Sequence, residues 1–499
     1  MELKFNSSTC HCLRKVVSQV QNQEQTQEVR LPDTMPDIGR VLGSWGQVLV
    51  RGKEWRGNGM SVSGGVMAWV LYAPEDGSEP RSIEAWIPFQ MRWDFEDTDR
   101  DGFICVVPLL KAIDARSTSA RKLMVRANIS LLGEALEPSE QEVYSADSVP
   151  EDVQLLTGSY PMELPQESGE KLFQVDEELT VPDTYPPVEK ILRYAFVPQI
   201  AEQKVMAGRL VFRGSGMLHM LYRGEDGSLN TWDTEIPFSQ YAELDRDYGP
   251  NATAWVMPML TSLELDKDEQ QRLQMKCVMA AQYVIYDRTM VDVVEDAYSP
   301  NRNVKVQTQE LKLPMRLDRQ TETMHAVQTL NVEATRIVDV CWLPDHPVRR
   351  QNGDVMELTV PGQFQTLYYD GNGNLQGSTV RGETAWEILS DHNNHVDGYI
   401  RSWERPMAVP GAESVELSSD FQMEAAVFAE QPLCMVTGLE LGEWKEPDPA
   451  RPALILRRAG ECRLWEIAKE CGSTVDAIRK ANKLQEEPEN GQMLLIPVS

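Results

Sequence analysis

The sequence predicts a mainly β chain in which three tandem β-sandwich-like repeats precede a small strand–helix–helix–strand unit. Three observations support this fold class: motifs that return at a constant spacing, alternating apolar runs separated by turn signals, and two helical apolar stripes near the end of the 499-residue chain. Alternation bounded by Gly, Asp and Pro is typical of antiparallel strands, whereas apolar residues spaced three and four apart indicate an amphipathic helix.

The first two repeats share motifs that lie 150 residues apart. Leu31-Pro-Asp-Thr returns as Val181-Pro-Asp-Thr, and Leu71-Tyr72 returns as Leu221-Tyr222. The Asp76-Gly-Ser motif likewise returns as Asp226-Gly-Ser. A spacing kept over several motifs indicates internal duplication.

A third, more divergent repeat keeps the centre of the pattern. Leu367-Tyr368 is followed by an Asp370-Gly turn, but the Pro-Asp-Thr opening is missing. The first element of this repeat is therefore predicted to be altered.

Each repeat is predicted to fold mainly as strands. Apolar residues from Met60 to Tyr72 alternate with residues of the other face, and the Asp-Gly pairs that follow such runs are strong hairpin signals. The Pro-Asp openings are the exception, because a proline just inside a helix start predicts a short helical turn placed against the sheet.

Polar and proline-rich stretches interrupt these patterns and predict the domain boundaries. The stretch from Gly442 to Pro452 is rich in proline and charge, and it is typical of a semi-rigid tether. The predicted domains are residues 1–146, 147–314, 325–443 and 453–499.

The closing unit is predicted from two short helices and two apolar strands. Leu464, Ile467, Ala468 and Cys471 form one stripe, and Gly472 supplies the left-handed residue that ends the first helix. Ser473 is the expected cap of a second helix. Helices this short need a shared core, which the flanking segments Leu454–Leu456 and Met493–Ile496 are expected to complete.

Composition excludes some classes of partner. The formal net charge is −29, while residues 454–499 hold seven Lys or Arg and seven Asp or Glu, so the acidity lies upstream. An acidic body argues against nucleic acid as a partner and favours protein surfaces. Neither a signal peptide nor a membrane span is predicted, and the isolated cysteines agree with a cytoplasmic protein.

No enzyme chemistry is expected from the motifs. Cys10-His11-Cys12 offers zinc ligands, but no second Cys or His pair follows at ligand spacing. A nucleophile elbow and a phosphate loop are also missing from the sequence. We therefore predict no catalytic residues, no metal and no cofactor.

The closing unit resembles a LysM domain, through Leu464-Trp465-x-Ile467-Ala468, Gly472-Ser473-Thr474 and Gly491-Gln492-x-Leu494-x-Ile496-Pro497. LysM domains commonly bind N-acetylglucosamine-containing glycans with the loops before the first helix and after the second. The resemblance therefore implies a binding site formed by Glu461, Cys462, Arg463, Trp465, Asn482, Lys483 and Leu484.

The first of these loops departs from the family. Residues 461–464 read Glu-Cys-Arg-Leu where Gly-Asp-Thr-Leu is usual. Both a protein and a peptidoglycan glycan stay open as ligands, and Trp465 is open either as half-buried packing or as a ligand platform.

The order of three β repeats and one LysM unit resembles the SPOCS-domain proteins of spore-forming Firmicutes, and within them the SipL-type spore morphogenetic proteins. This resemblance implies a non-enzymatic mother-cell protein at the forespore surface, which docks through its LysM end on the coat basement-layer ATPase. Two alternatives are a peptidoglycan-binding LysM protein and a phage tail-like structural component.

Overall fold

The computed structural model describes residues 2–96, 101–146, 149–268, 272–353, 355–389, 394–429, 432–446, 452–460 and 462–498. Within these ranges the chain is mainly β, with two short helices near its end. The predicted mainly β class is therefore confirmed. Among the described residues, no helix has the length and apolar character needed to cross a membrane.

The first unit, residues 6–145, consists of two three-stranded antiparallel sheets. Their strand orders are β2–β7–β6 and β3–β4–β5, and Trp93, Tyr72 and Val66 lie fully buried in the core. The strands of this part are β1 (Glu2–Lys4), β2 (Asn6–Arg30), β3 (Ile38–Arg56), β4 (Gly59–Pro74), β5 (Arg81–Asp94), β6 (Phe103–Ser119) and β7 (Lys122–Ser145).

The second unit, residues 154–298, has a similar plan: β10 pairs with β9, and β11–β12–β8 form one end of a seven-stranded sheet that continues into the third unit. Its β9 continues through Ala207, which has φ 49°, whereas the equivalent Gly57 has φ 48° and separates β3 from β4. Its strands are β8 (Gln154–Leu179), β9 (Val188–Gly224), β10 (Leu229–Tyr248), β11 (Thr253–Lys267) and β12 (Leu273–Tyr298).

The third unit, residues 302–444, pairs β14–β21–β19 and β15–β17–β18, while β13 pairs with β22. The N-terminal β1 adds to the other edge of β22. The strands are β13 (Arg302–Leu311), β14 (Arg316–Leu330), β15 (Ala334–Pro344), β16 (Val348–Asn352), β17 (Val355–Asp370), β18 (Leu375–Leu389), β19 (Asn394–Trp403), β20 (Met407–Pro410), β21 (Val415–Ala429) and β22 (Leu433–Trp444).

Equivalent contacts recur in the first two units at the spacing of the sequence motifs. The Tyr72 hydroxyl donates to the Pro36 carbonyl at 3.0 Å, and the Tyr222 hydroxyl donates to the Pro186 carbonyl at 3.1 Å. The hairpin turns also match, since Gly77 and Gly227 have φ of 76° and 79°. The Leu-Tyr and Asp-Gly motifs therefore hold the same structural positions in both units.

The Pro-Asp openings form tight turns, so the predicted helical turn is wrong. Met35 N donates to Pro32 O at 3.0 Å, and the chain enters strand β3 at Ile38. Register shifts between Ile38 and Arg40 and between Val41 and Gly43 interrupt the alternation of β3. Ile38 and Leu42 are both buried but pack in different clusters of the core, so this part of the opening belongs to the sheet from its first residue.

The three units share buried clusters. Leu71, Leu221 and Leu367, which hold equivalent positions in the motifs, meet in one cluster, and each is at most 1% exposed. Lys15 of the first unit lies 2.7 Å from Asp397 of the third. His346 of the third unit accepts a hydrogen bond from Leu132 N of the first at 3.1 Å, and burial lowers the pKa of His346 to about 4.

The C-terminal unit, residues 454–497, has the predicted element order. It contains β23 (Leu454–Arg458), α1 (Leu464–Cys471), α2 (Val475–Asn482) and β24 (Met493–Pro497), and the two strands pair antiparallel. Gly472 ends α1 with φ 63°, as expected. The cap of α2 is Thr474 and not Ser473, because Ala477 N donates to Thr474 Oγ1 at 3.1 Å while the Ser473 hydroxyl donates to Pro497 O.

Candidate functional site

The two loops predicted to form a binding site lie side by side. The Glu487 carboxylate accepts a hydrogen bond from Leu464 N at 2.8 Å, which joins the loop after α2 to the start of α1. Cys462, Arg463 and Lys483 are exposed around this junction. Glu461 lies outside the described residues.

Trp465 is turned toward the second unit. Its side chain is buried, with 8% of the residue exposed, and its indole N–H donates to Asp296 Oδ2 at 2.9 Å. The ring meets Tyr298 edge-on, with centroids 4.8 Å apart and planes at 74°. This geometry combines apolar burial with a satisfied N–H group, which is the usual arrangement for a packed tryptophan.

Two further bonds hold the C-terminal unit against β12. Lys469 Nζ lies 2.9 and 2.6 Å from the two oxygens of Asp296, and the Tyr298 hydroxyl donates to Ser473 O at 2.9 Å. We refer to Asp296, Tyr298, Trp465, Lys469 and Ser473 as the docking contact. It joins the C-terminal unit to the end of β12.

The docking contact shifts the acidity of its central carboxyl. Burial alone would raise the pKa of Asp296, but hydrogen bonds from Lys469 and Trp465 outweigh burial and hold this pKa below its usual range. Asp296 is therefore ionised when it accepts these bonds, and it satisfies the buried indole with a charged acceptor.

The second loop uses its asparagine internally. Asn482 Nδ2 donates to Leu495 O at 2.6 Å, and Leu495 N donates to Asn482 Oδ1 at 2.8 Å. The amide thus pairs with β24 as a neighbouring strand residue would. Lys483 follows as the left-handed C-cap of α2 with φ 53°, and Leu484 packs partly buried against the core of the unit.

The exposed thiol at this site is not activated. A hydrogen bond with Glu466 is the main cause that raises the pKa of Cys462, and nearby carboxylates act in the same direction. Cysteine reacts as the thiolate, so this environment disfavours nucleophilic chemistry. The arrangement suits recognition through shape, hydrogen bonds and charge.

Sequence reasoning missed two features of this region. Asp296 and Tyr298 lie 169 and 175 positions from their partners Trp465 and Ser473, and no local pattern marks them. The second feature is the outer face of the β23–β24 pair, where Leu454, Leu456, Met493 and Leu495 are between 39% and 63% exposed. The sequence gives no sign of this exposure, because Leu454, Ile455 and Leu456 are all apolar; it follows from a two-stranded sheet that is covered on one face only and so exposes every second residue.

Comparison with known proteins identifies part of the chain. Residues 187–267 match the family model described as SipL, SPOCS domain. This segment covers β9, β10 and β11 of the second unit. No curated protein and no solved structure matches the chain significantly. The match supports a SipL-like protein with a role connected to sporulation.

Proposed function

We propose that this chain is a non-enzymatic structural and interaction protein of spore coat morphogenesis. Its C-terminal unit is LysM-like and docks to a coat basement-layer morphogenetic ATPase at the forespore surface, in the mother-cell cytoplasm. The SPOCS match within the second unit carries the proposal, because it links the chain to sporulation. The β units then serve as the scaffold that holds the C-terminal unit.

The distribution of charge supports docking through the C-terminal unit. The whole chain has a formal charge of −29, while residues 454–499 contain equal numbers of basic and acidic side chains. A protein partner with acidic groups is repelled by the body but not by this end of the chain. Arg463 and Lys483, both exposed, add positive charge at the loop junction.

The hydrogen bonds of the loops favour a protein over a glycan as the ligand. Sugar recognition commonly uses an aromatic face and side-chain amides, but the Trp465 indole N–H and the Asn482 amide are bonded within the chain. A glycan would have to displace the docking contact to reach Trp465. A protein can bind the groups that are already exposed.

The test compares the full chain with a truncated chain that ends at Glu446. Both are purified, checked for folding by circular dichroism, and measured for binding to the purified coat ATPase of the same organism by biolayer interferometry. We expect only the full chain to bind. Equal binding by both chains contradicts docking through the C-terminal unit, and co-sedimentation with insoluble peptidoglycan in place of ATPase binding supports the glycan alternative.

A further inference from the structure

The β23–β24 pair presents an apolar outer face. Leu454 and Leu456 are 54% and 63% exposed, and Met493 and Leu495 are 48% and 39% exposed. Leu456 lies directly opposite Leu495 in the ladder, so these side chains adjoin on one side of the sheet. Four large apolar side chains on a sheet of ten residues form an unusually apolar surface for a protein with so much surface charge.

The backbone of β23 is open on one edge. Ala453 O accepts from Val498 N at 3.0 Å and Ala459 N donates to Gln492 O at 2.7 Å, which marks these as hydrogen-bonded pairs. Bonding alternates along an antiparallel ladder, so Leu454, Leu456 and Arg458 direct their N–H and C=O groups away from β24. In the described part of the chain, no strand pairs with that edge.

The other edge of the sheet is closed. The Asn482 amide bonds both N and O of Leu495, and it thereby occupies the ladder position of a third strand. An approaching strand can therefore pair only along β23. An open edge with apolar side chains beside it is what strand addition requires.

Charge at this edge specifies the occupant further. Arg457 points inward and pairs with Glu470, whereas Arg458 is exposed and has no ion pair among the described residues. The strand β23 itself contains no acidic residue. A second copy of this chain that added its own β23 would leave both Arg458 groups unneutralised and would bring two strongly acidic bodies together.

We propose that β23 binds an extended segment of the protein partner as an added strand. Alternate apolar side chains of that segment lie beside Leu454 and Leu456, and a carboxylate lies beside Arg458. This inference rests on the proposed function, since it names the surface and the kind of segment through which the C-terminal unit docks.

The first experiment locates the contact. A photoreactive p-benzoylphenylalanine replaces Leu456, Arg463 or Lys483 in the full chain, with Lys480 on the exposed side of α2 as control, and sporulating cells are irradiated. We expect position 456 to crosslink to a partner segment of alternating apolar residues with an Asp or Glu, identified by mass spectrometry of the linked peptide. If position 463 or 483 crosslinks to the partner but position 456 does not, the proposed function stands and strand addition is refuted.

The remaining outcomes of this experiment are also decisive. If no position crosslinks a partner, the proposed function fails as well. If position 456 crosslinks to a second copy of this chain, or to a partner segment without alternation, the inference is wrong.

The second experiment tests strand pairing with a synthetic peptide of the crosslinked segment. Methylation of a backbone amide that faces β23 should weaken binding to the full chain at least tenfold, while methylation of the next amide changes binding less than twofold. Arg458→Glu should weaken binding, and exchanging the peptide carboxylate for lysine should restore it. Equal effects of the two methylations, or no rescue by the charge exchange, refute the added strand.

Discussion

Replacing Asp296 with alanine should weaken the packing of the C-terminal unit against β12. The substitution removes the acceptor of the Trp465 indole N–H and the counter-charge of Lys469. Hydrogen bonds to a charged group contribute about 1.5–3 kcal/mol each. Because the Lys469 side chain is 45% exposed, solvent largely screens its ion pair with Asp296. We therefore expect the substitution to destabilise the docked state by about 2 kcal/mol. That loss lowers the ratio of docked to undocked molecules roughly 30-fold.

The assay is fluorine NMR of the full chain labelled with 5-fluorotryptophan. The chain has twelve tryptophans, and the Trp465 resonance is assigned by its absence from Trp465→Phe. In Asp296→Ala this resonance should move toward the shift of an exposed indole and gain a solvent isotope shift. The matched control is Asp287→Ala in the same strand, whose carboxylate accepts from its neighbour Arg288 N at 2.9 Å.

Acidification provides an independent check of the same contact. The pKa of Asp296 is lowered in the docked state, so its contribution is present above the ordinary pKa of about 4 and is lost as the pH falls through the docked-state value. The wild-type Trp465 resonance should therefore change on acidification, while that of Asp296→Ala should not. An unchanged resonance in Asp296→Ala, or an equal change in Asp287→Ala, would refute the docking contact as described.

Three further predictions concern the scaffold, and urea unfolding measures each. Ala207→Gly should stabilise the fold by about 1 kcal/mol because alanine is strained at positive φ, while Gly57→Ala should destabilise it by a similar amount. A change of stability in the same direction for both variants would contradict this. His346→Gln keeps an acceptor for Leu132 N but cannot titrate. Since the pKa of His346 is lowered to about 4, the unfolded state binds more protons between pH 4 and 6.5. As the pH falls from 6.5 to 4, the free energy of unfolding of the wild type should therefore decrease by about 3 kcal/mol more than that of the variant. Parallel pH profiles would refute this. Leu221→Ala should cost about 3 kcal/mol, because the side chain is fully buried where the three units meet, and a loss under 1 kcal/mol would argue against that shared cluster.

The sequence correctly predicts those turns and helix ends that are determined by residues close together in the chain. The Asp-Gly turns follow from the freedom of glycine, and Gly77 and Gly227 have the positive φ that such turns need. The helical stripe from Leu464 to Cys471 and the left-handed Gly472 appear at the predicted positions. The SPOCS resemblance is supported for residues 187–267. The domain boundaries and the choice of binding residues stay predictions.

The failures arose where tertiary contacts or irregular pairing decided the structure. A proline before an apolar segment does not distinguish the start of a helix from a tight turn, and the turn from Pro32 to Met35 leads directly into β3. The apolar character of Leu454 and Leu456 predicts that both are part of a core, but the small unit has a second layer on only one face of its sheet. The contact between Trp465 and Asp296 joins distant segments, so no periodicity could reveal it.

Substitutions in the docking contact and at the open edge of β23 should affect partner binding differently. A docked C-terminal unit presents β23 in a fixed orientation relative to the β scaffold, whereas a released unit is held only by the segment after Trp444. If the partner contacts β23 alone, Asp296→Ala should leave its affinity for the full chain within twofold, while Arg458→Glu weakens it at least tenfold. If the partner also contacts the second unit, both substitutions should weaken binding, because releasing the unit adds an orientational cost to association. Calorimetry with the full-length variants and the purified partner distinguishes the two cases, and a loss caused by Asp296→Ala but not by Arg458→Glu would remove β23 from the interface.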